Sequence, residues 1–202
     1  MARRSDHTRE ELTRMALDAA HAITADEGLR GLRARQIARD IGYTIGTLYN
    51  LFEDFDDLIL HMNGETLDAL YRTCSEVELK GDPTEDLEAL ADRYLEFTRG
   101  HQQQWSAVFE HTLPRGRAVP DWYSEKVAKL MELEARALAP LFPGGNPDRI
   151  AHHARVLWTS LFGMALVESA ERLPEGETAR SLVRSLIGTY VAGLKDNRKG
   201  EL

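Results

Sequence analysis

A short run of hydroxyl and amide side chains between residues 44 and 50 carries groups that can form hydrogen bonds with the edges of nucleic-acid bases. The hydroxyls of Thr44 and Thr47 and the amide of Asn50 donate and accept hydrogen bonds, as recognition in the major groove requires. The methyl groups of Ile45 and Thr47 suit contact with thymine methyls. Because the run contains no lysine or arginine, these contacts are modest.

Arginines precede this run and supply positive charge that the chain as a whole lacks. The 202 residues carry a formal charge of −8, which alone argues against nucleic acid as a partner. Residues 1–52 nevertheless carry a charge of +1, from eight basic and seven acidic residues, whereas residues 53–202 carry −9, from 17 basic and 26 acidic residues. We expect phosphate contacts from Arg33 and Arg35. The basic segment contains Arg30, Arg33, Arg35 and Arg39, with no acid before Asp40.

Two short predicted helices, Ala34 to Asp40 and Thr44 to Leu51, position these groups. The small side chain of Ala38 lets two helix axes cross, and Gly42 allows the positive φ that sets them near a right angle. The apolar residues that bury this wedge are Ile37, Ile41, Tyr43, Leu48 and Leu51. The pattern predicts a helix-turn-helix whose second helix enters the major groove by its N-terminal end. An ordinary helical hairpin is the competing interpretation.

Helical periodicity continues through nearly the whole chain, without alternating β-branched stretches bounded by turns. The sequence therefore predicts an all-α fold of about nine helices. The first helix begins at Thr8, which has capping-box spacing to Glu11, and ends at Gly28. The helices after the wedge are predicted to begin near Asp56, Thr84, Trp105, Asp121, Pro147 and Glu177.

The segment from Ile37 to Phe52, followed by Leu58, resembles the helix-turn-helix signature of the TetR-type transcriptional regulators. The resemblance implies an N-terminal helix-turn-helix DNA-binding domain, which we place at residues 1–55. It also implies a C-terminal helical domain for effector binding and dimerisation, which we place at residues 56–202. Such a protein is expected to be a ligand-responsive regulator, most often a repressor, that binds a palindromic operator as a homodimer and is released by a small apolar effector.

The same resemblance assigns roles to single residues. It implies that the phenol of Tyr49 meets a phosphate, whereas packing is the alternative role for this ring; Gly46 lets the backbone approach DNA closely. Trp158, Phe162 and Gly163 fall where one subgroup of these regulators has a Trp-x-x-x-His-Gly pattern, with Phe in place of His.

The chain departs from the family pattern at two positions near the wedge. Phe55 replaces a lysine that commonly contacts a phosphate, and acidic residues flank it. Arg33 replaces the usual Thr or Ser cap of the second helix, and we expect it to reach a phosphate instead. These departures predict weaker electrostatic binding than is usual in the family. Arg3 and Arg4 fit a solvated tail and a DNA-contacting arm equally well.

Dimerisation is expected because helix-turn-helix proteins commonly read two half-sites about 34 to 36 Å apart or at multiples of that spacing. The last two predicted helices carry apolar residues at helical spacing, and two copies would form a four-helix bundle. The interface residues we predict are Ile150, Ala154, Leu157, Leu161, Val183, Leu186 and Tyr190. Burial within a single chain is the competing assignment for each of them.

Bulky, adaptable residues in the middle of the chain are candidates for an effector cavity. The residues we predict to contact a ligand are Phe97, Trp105, Phe109, Trp122, Met131, Trp158 and Phe162. An ordinary hydrophobic core would also contain such residues, and it is the family resemblance that favours a cavity.

Catalysis and metal binding are the main rival functions. Asp57, His61 and Glu65 have the i, i+4, i+8 spacing of ligands on one helix face, although a solvated charged stripe has the same spacing. Because no hydrolase, zinc-protease or phosphate-loop motif is present, we expect no enzymatic activity, no cofactor and no metal. A helical ligand-binding or metal-dependent protein that does not bind DNA stays the alternative.

The composition indicates a cytoplasmic location. Cys74 is the single cysteine, so an internal disulfide is excluded. The most apolar stretch, Trp158 to Val167, has about half of the roughly 20 residues that a membrane helix needs. The first 25 residues lack the apolar core of a secretory signal.

Overall fold

The structure is a computed structural model that describes residues 7–200, with side chains through residue 196. The predicted all-α fold is confirmed, because the described residues form nine α-helices and two short 3₁₀ turns. The α-helices are α1 (Arg9–Glu27), α2 (Ala34–Asp40), α3 (Ile45–Leu51), α4 (Phe55–Ser75), α5 (Pro83–Gly100), α6 (Gln102–Glu110), α7 (Asp121–Leu138), α8 (Pro147–Ser169) and α9 (Ala179–Gly200). Arg3 and Arg4 lie outside the described residues. None of the helices in the described part is long and apolar enough to cross a membrane.

The chain forms two compact units. The first contains the chain up to Thr66 together with His101–Tyr123, so α6 and the loop after it belong with α1, α2 and α3. The second contains Leu67–Gly100 and the chain from Ser124 onward. The functional boundary that we placed after residue 55 stays a prediction.

The first helix of the first unit begins with the predicted capping box. The Thr8 Oγ1 atom accepts a hydrogen bond from the Glu11 N–H at 3.2 Å, and Glu11 Oε2 accepts one from the Thr8 N–H at 2.7 Å. These bonds satisfy two backbone donors that a helix start would otherwise leave unpaired. Gly28 ends the helix with φ +70° and donates its N–H to the Thr24 carbonyl.

The predicted wedge is built from α2, α3 and the turn between them. Ile37, Ala38 and Leu48 are buried in the core of this unit, together with residues from α1, α4 and α6. Gly42 has φ +76°, and the next N–H, that of Tyr43, donates to the Ala38 carbonyl at 2.8 Å. The burial of these side chains holds α3 in one orientation.

The second unit contains α5, α8, α9 and most of α7. Asn146 caps α8 by accepting the Asp148 N–H at 2.8 Å, and Pro147 is the first helical residue, as the sequence predicts. The α7 helix ends at Leu138, and a 3₁₀ turn follows at Ala139–Leu141 because Pro140 cannot continue the α-helical hydrogen bonding. The Glu168 carboxylate accepts the Ala179 N–H at 2.8 Å and pairs with Arg99 at 3.0 Å.

Glu134 on α7 is a buried acid in the second unit. Its side chain is only 7% exposed, and the buried residues beside it on α7 are Leu130, Leu133, Ala137 and Leu138. Among the described residues, nothing hydrogen-bonds to its Oε2 atom. Burial raises the pKa of Glu134 to about 8, so the carboxyl keeps its proton at neutral pH.

Replacing Gly42 with alanine is expected to lower the free energy of unfolding by about 1–2 kcal/mol, because an L-residue is strained at positive φ. A Cβ at Gly42 would have no atom within 4 Å, so the strain would not be combined with a clash. Gly46→Ala is the control, since it adds a helix-favouring methyl whose nearest neighbour is Thr44 Oγ1 at 3.6 Å. Urea unfolding that showed equal stability for both variants would contradict this reading of the turn.

As the pH rises from 5 to 8, the free energy of unfolding of the wild-type protein is expected to fall relative to that of the Glu134→Gln variant. The folded carboxyl keeps its proton up to a pKa of about 8, whereas the unfolded one loses it near the ordinary value of 4.5. The folded state therefore binds more protons than the unfolded state across this pH range. The resulting loss in the free energy of unfolding reaches roughly 4 kcal/mol. The measurement is urea unfolding at each pH. Glu132→Gln, at an exposed position of the same helix, is the control, and a pH-independent difference for Glu134→Gln would contradict the prediction.

Candidate nucleic-acid interface

The α3 helix presents a mainly polar surface at the edge of the first unit. Thr44, Gly46, Tyr49 and Asn50 are exposed, while Ile45 and Thr47 are half-buried, and Leu48 faces the core. The ring of Tyr49 is 51% exposed, which leaves its phenol accessible. The structure thus exposes four of the six predicted residues, whereas Ile45 packs partly against the hydrophobic core and Thr47 is half-buried.

Hydrogen bonding restricts two of these residues and leaves a third available. Thr44 is the N-cap of α3: its Oγ1 atom accepts the Thr47 N–H at 3.3 Å and lies 3.2 Å from Thr47 Oγ1. The two threonine hydroxyls therefore hold each other in position at the start of the helix. The Asn50 amide makes no hydrogen bond with the described residues, so it has the full donor and acceptor capacity that base recognition uses.

The predicted arginines differ in whether their guanidinium groups are available to contact a phosphate. Arg33 precedes α2 without capping it, and its guanidinium donates to the carbonyls of Arg30 and Leu32. Arg39 pairs with Asp40 at 3.3 Å. Arg35 is exposed and has no ion pair within the described residues. A phosphate contact by Arg33 would require its side chain to leave these carbonyls.

The acidic residues around Phe55 are tied to partners within the first unit. The Asp54 carboxylate accepts the Asp57 N–H at 2.8 Å and pairs with Arg117 at 2.5 Å. These hydrogen bonds, the backbone one foremost, lower the pKa of Asp54. His111 contacts Asp56 at 2.9 Å. Sequence reasoning missed Arg117 and His111, because more than 50 residues separate them from the acids that they contact.

Phe55 itself packs against the hydrophobic core of the first unit. A side chain in this position anchors the start of α4, whereas a lysine would extend toward solvent. With phenylalanine instead of the lysine of the family pattern, the first turn of α4 lacks a positive charge and gains a packing contact with the core.

The predicted ligand residues are divided between the units. Trp105, Phe109 and Trp122 belong to the first unit, where Trp105 meets Phe109 edge to face at 5.0 Å and Trp122 stacks on His61 at 4.7 Å. Phe97, Met131, Trp158 and Phe162 belong to the second unit.

A small cavity lies inside the second unit. Its lining residues are Cys74, Leu90, Tyr94, Leu130, Leu133, Glu134, Trp158 and Leu161. Of the predicted ligand residues, Trp158 lines it. Its free volume of ≈ 10 Å³ is about what one water molecule needs, so an organic ligand requires the surrounding helices to open. The sequence pattern that favoured aromatic residues did not single out Glu134 or Cys74.

Several of the residues on α8 and α9 that we predicted for the dimer interface are already buried within the single chain. Ala154, Leu157, Leu161 and Val183 are buried, whereas Ile150, Leu186 and Tyr190 are half-buried. The Tyr190 hydroxyl lies 2.7 Å from His153 Nδ1. Leu166 and Val167, at 51% and 39% exposure, add apolar surface on α8. The burial of four of these residues within a single chain is what their alternative assignment, to the core of one chain, predicts.

The candidate metal ligands are engaged with protein partners. Asp57 lies 3.6 Å from His61, and Glu65 lies 2.9 Å from His21. Within the part of the chain that the structure describes, no three acidic, histidine or cysteine side chains are grouped so that they could hold a metal ion.

Comparison with known proteins adds to this geometry. Three solved structures share the fold at low identity. A protein of unknown function from Rhodococcus sp. RHA1 is 22% identical, with a TM-score of 0.73 over 96% of this chain and 99% of that one. A transcriptional regulator from the same organism is 22% identical, with a TM-score of 0.67 over 90% and 96%. A TetR-family transcriptional regulator from Streptomyces coelicolor is 18% identical, with a TM-score of 0.64 over 91% and 99%.

A search of curated proteins found no match. A family model described as the tetracyclin repressor-like C-terminal domain matches residues 87–190, slightly more than half of the chain. This match covers α6, α7 and α8 completely, most of α5, about half of α9 and the loops between these helices. The chain therefore belongs to the TetR family of transcriptional regulators.

Proposed function

We propose that the protein binds a palindromic DNA operator as a homodimer, through α3 of each protomer, and that it acts as a repressor in the cytoplasm. The observation that carries this proposal is the polar surface of α3, set on a buried core that fixes its orientation. A helix held in this way can enter the major groove with its N-terminal residues toward the bases. The Asn50 amide and the threonine hydroxyls would read base edges.

A dimer is proposed because the face of α3 that would contact base pairs is small. The exposed face of α3 covers few base pairs, so two copies are needed for affinity and specificity together. We propose α8 and α9 as the interface, with Ile150, Leu186 and Tyr190 in the contact because they are half-buried in the single chain. Leu166 and Val167 add exposed apolar area to α8.

A small, largely apolar effector is proposed to release the operator. The cavity in the second unit supports this role, because its walls are mainly leucine and aromatic side chains. An effector that prefers the non-binding arrangement of the dimer by about 100-fold would weaken operator binding by about 2.7 kcal/mol. The α4 helix contributes residues to both units, and we propose it as the path for this effect.

Asn50→Ala is expected to weaken operator binding by roughly tenfold or more, because a good amide contact with a base contributes about 1–3 kcal/mol. The measurement is fluorescence anisotropy with duplexes tiled across the DNA that flanks the protein's own gene. Thr112→Ala, an exposed change in the same unit, is the control and should bind as the wild type does. Equal affinity of all three proteins would contradict the role of α3. Wild-type protein that bound no duplex would favour a helical ligand-binding protein without DNA activity.

A further inference from the structure

Glu134 occupies a position where an apolar residue would satisfy the fold. The buried face of α7 around it consists of leucine and alanine side chains. A carboxyl group with a buried oxygen that accepts no hydrogen bond from the described residues lowers stability relative to leucine at the same site. Such a group gains a favourable partner only if something enters the cavity that it lines.

The other residues that line the cavity indicate which chemical class of ligand could partner Glu134. Tyr94 and Trp158 both line the cavity, and their rings meet edge to face with centroids 5.4 Å apart. Aromatic faces attract organic cations, and one carboxylate supplies the opposite charge. None of the described residues that line the cavity is basic. An anionic ligand would find no counter-charge there.

We propose that the effector of this protein is an organic cation, a substituted ammonium group with an apolar tail, and that Glu134 is its counter-ion. The inference rests on the proposed function, because it names the chemical class of the molecule that would release DNA. The cationic group would lie between Glu134 and the rings of Tyr94 and Trp158, and the leucine side chains would contact the tail. Entry requires the walls, which α4, α5, α7 and α8 provide, to separate.

Proton release accompanies this binding. The carboxyl of Glu134 is protonated at pH 7, because burial raises its pKa to about 8, and it must give its proton to solvent to become the counter-ion. The other titratable groups in the lining are the Cys74 thiol on α4 and the Tyr94 phenol on α5, whereas α8 contributes Trp158 and Leu161. Burial raises the pKa of Cys74 to about 12, so this thiol keeps its proton at pH 7.

The test compares three probes of similar size: benzyltrimethylammonium, its neutral isostere neopentylbenzene, and the anion phenylacetate. Isothermal titration of the full-length protein at pH 7, in two buffers of different ionisation enthalpy, gives affinity and proton release. The wild type is expected to bind the cation at least about tenfold more tightly than the neutral isostere, with release of close to one proton per site. Glu134→Gln should lose both the preference and the release, whereas Glu132→Gln should retain both.

A second variant separates this role from a structural one. Glu134→Leu is expected to melt at a higher temperature than the wild type without ligand, and to bind the neutral isostere at least as well as the cation. Equal binding of cation and isostere by the wild type, no binding of any probe, or an unchanged preference in Glu134→Gln would overturn the proposal. A lower melting temperature of Glu134→Leu would also overturn it.

Operator binding distinguishes failure of this inference from failure of the proposed function. If the cation binds wild-type protein through Glu134 but leaves the affinity for operator DNA unchanged, the cation site stands and effector-driven release fails. If a neutral apolar compound releases DNA while the cation shows no preference, release stands and the role of Glu134 as counter-ion fails.

Discussion

The proposed DNA-reading surface of α3 depends on the burial of Leu48 in one core with Ile37 and Ala38. That core fixes the rotation of α3 about its own axis, and the rotation decides which side chains are exposed. Leu48 faces inward, and Tyr49 and Asn50 are exposed. A larger residue at position 38 would push α3 away from α2, and it would move every group on that surface at once.

A second constraint concerns charge beside this surface. Four acidic residues flank Phe55 at the start of α4. Arg117, in the loop after α6, pairs with Asp54 and so compensates part of this negative charge inside the protein, and His111, the C-cap of α6, contacts Asp56. The contacts also fasten the first turn of α4 to the end of α6. At position 55, core packing by Phe55 and internal pairing of the neighbouring acids stand where the family resemblance leads one to expect a lysine.

Local signals in the sequence were sufficient to predict the helices and the wedge. The capping box at Thr8 and the left-handed turn at Gly42 each involve neighbours within a few residues, and both were confirmed. Arg33 could not be predicted in the same way, because its choice between phosphate and backbone carbonyl depends on its rotamer. The burial of Glu134 and the pairing of Arg117 with Asp54 depend on tertiary contacts. Apolar spacing on α8 and α9 likewise fits a core and an interface equally well.

Site-directed cleavage of DNA tests the central claim about α3 most directly. An iron chelate attached to Asn50→Cys would cut operator DNA wherever this helix meets the groove. Cys74 is buried and burial raises its pKa to about 12, so the introduced cysteine would carry the label. The account predicts two symmetric groups of cuts separated by about one helical turn of DNA or a multiple of it. Absence of cuts from Asn50→Cys on DNA that the labelled protein binds, or the same cuts from Thr112→Cys, would contradict it.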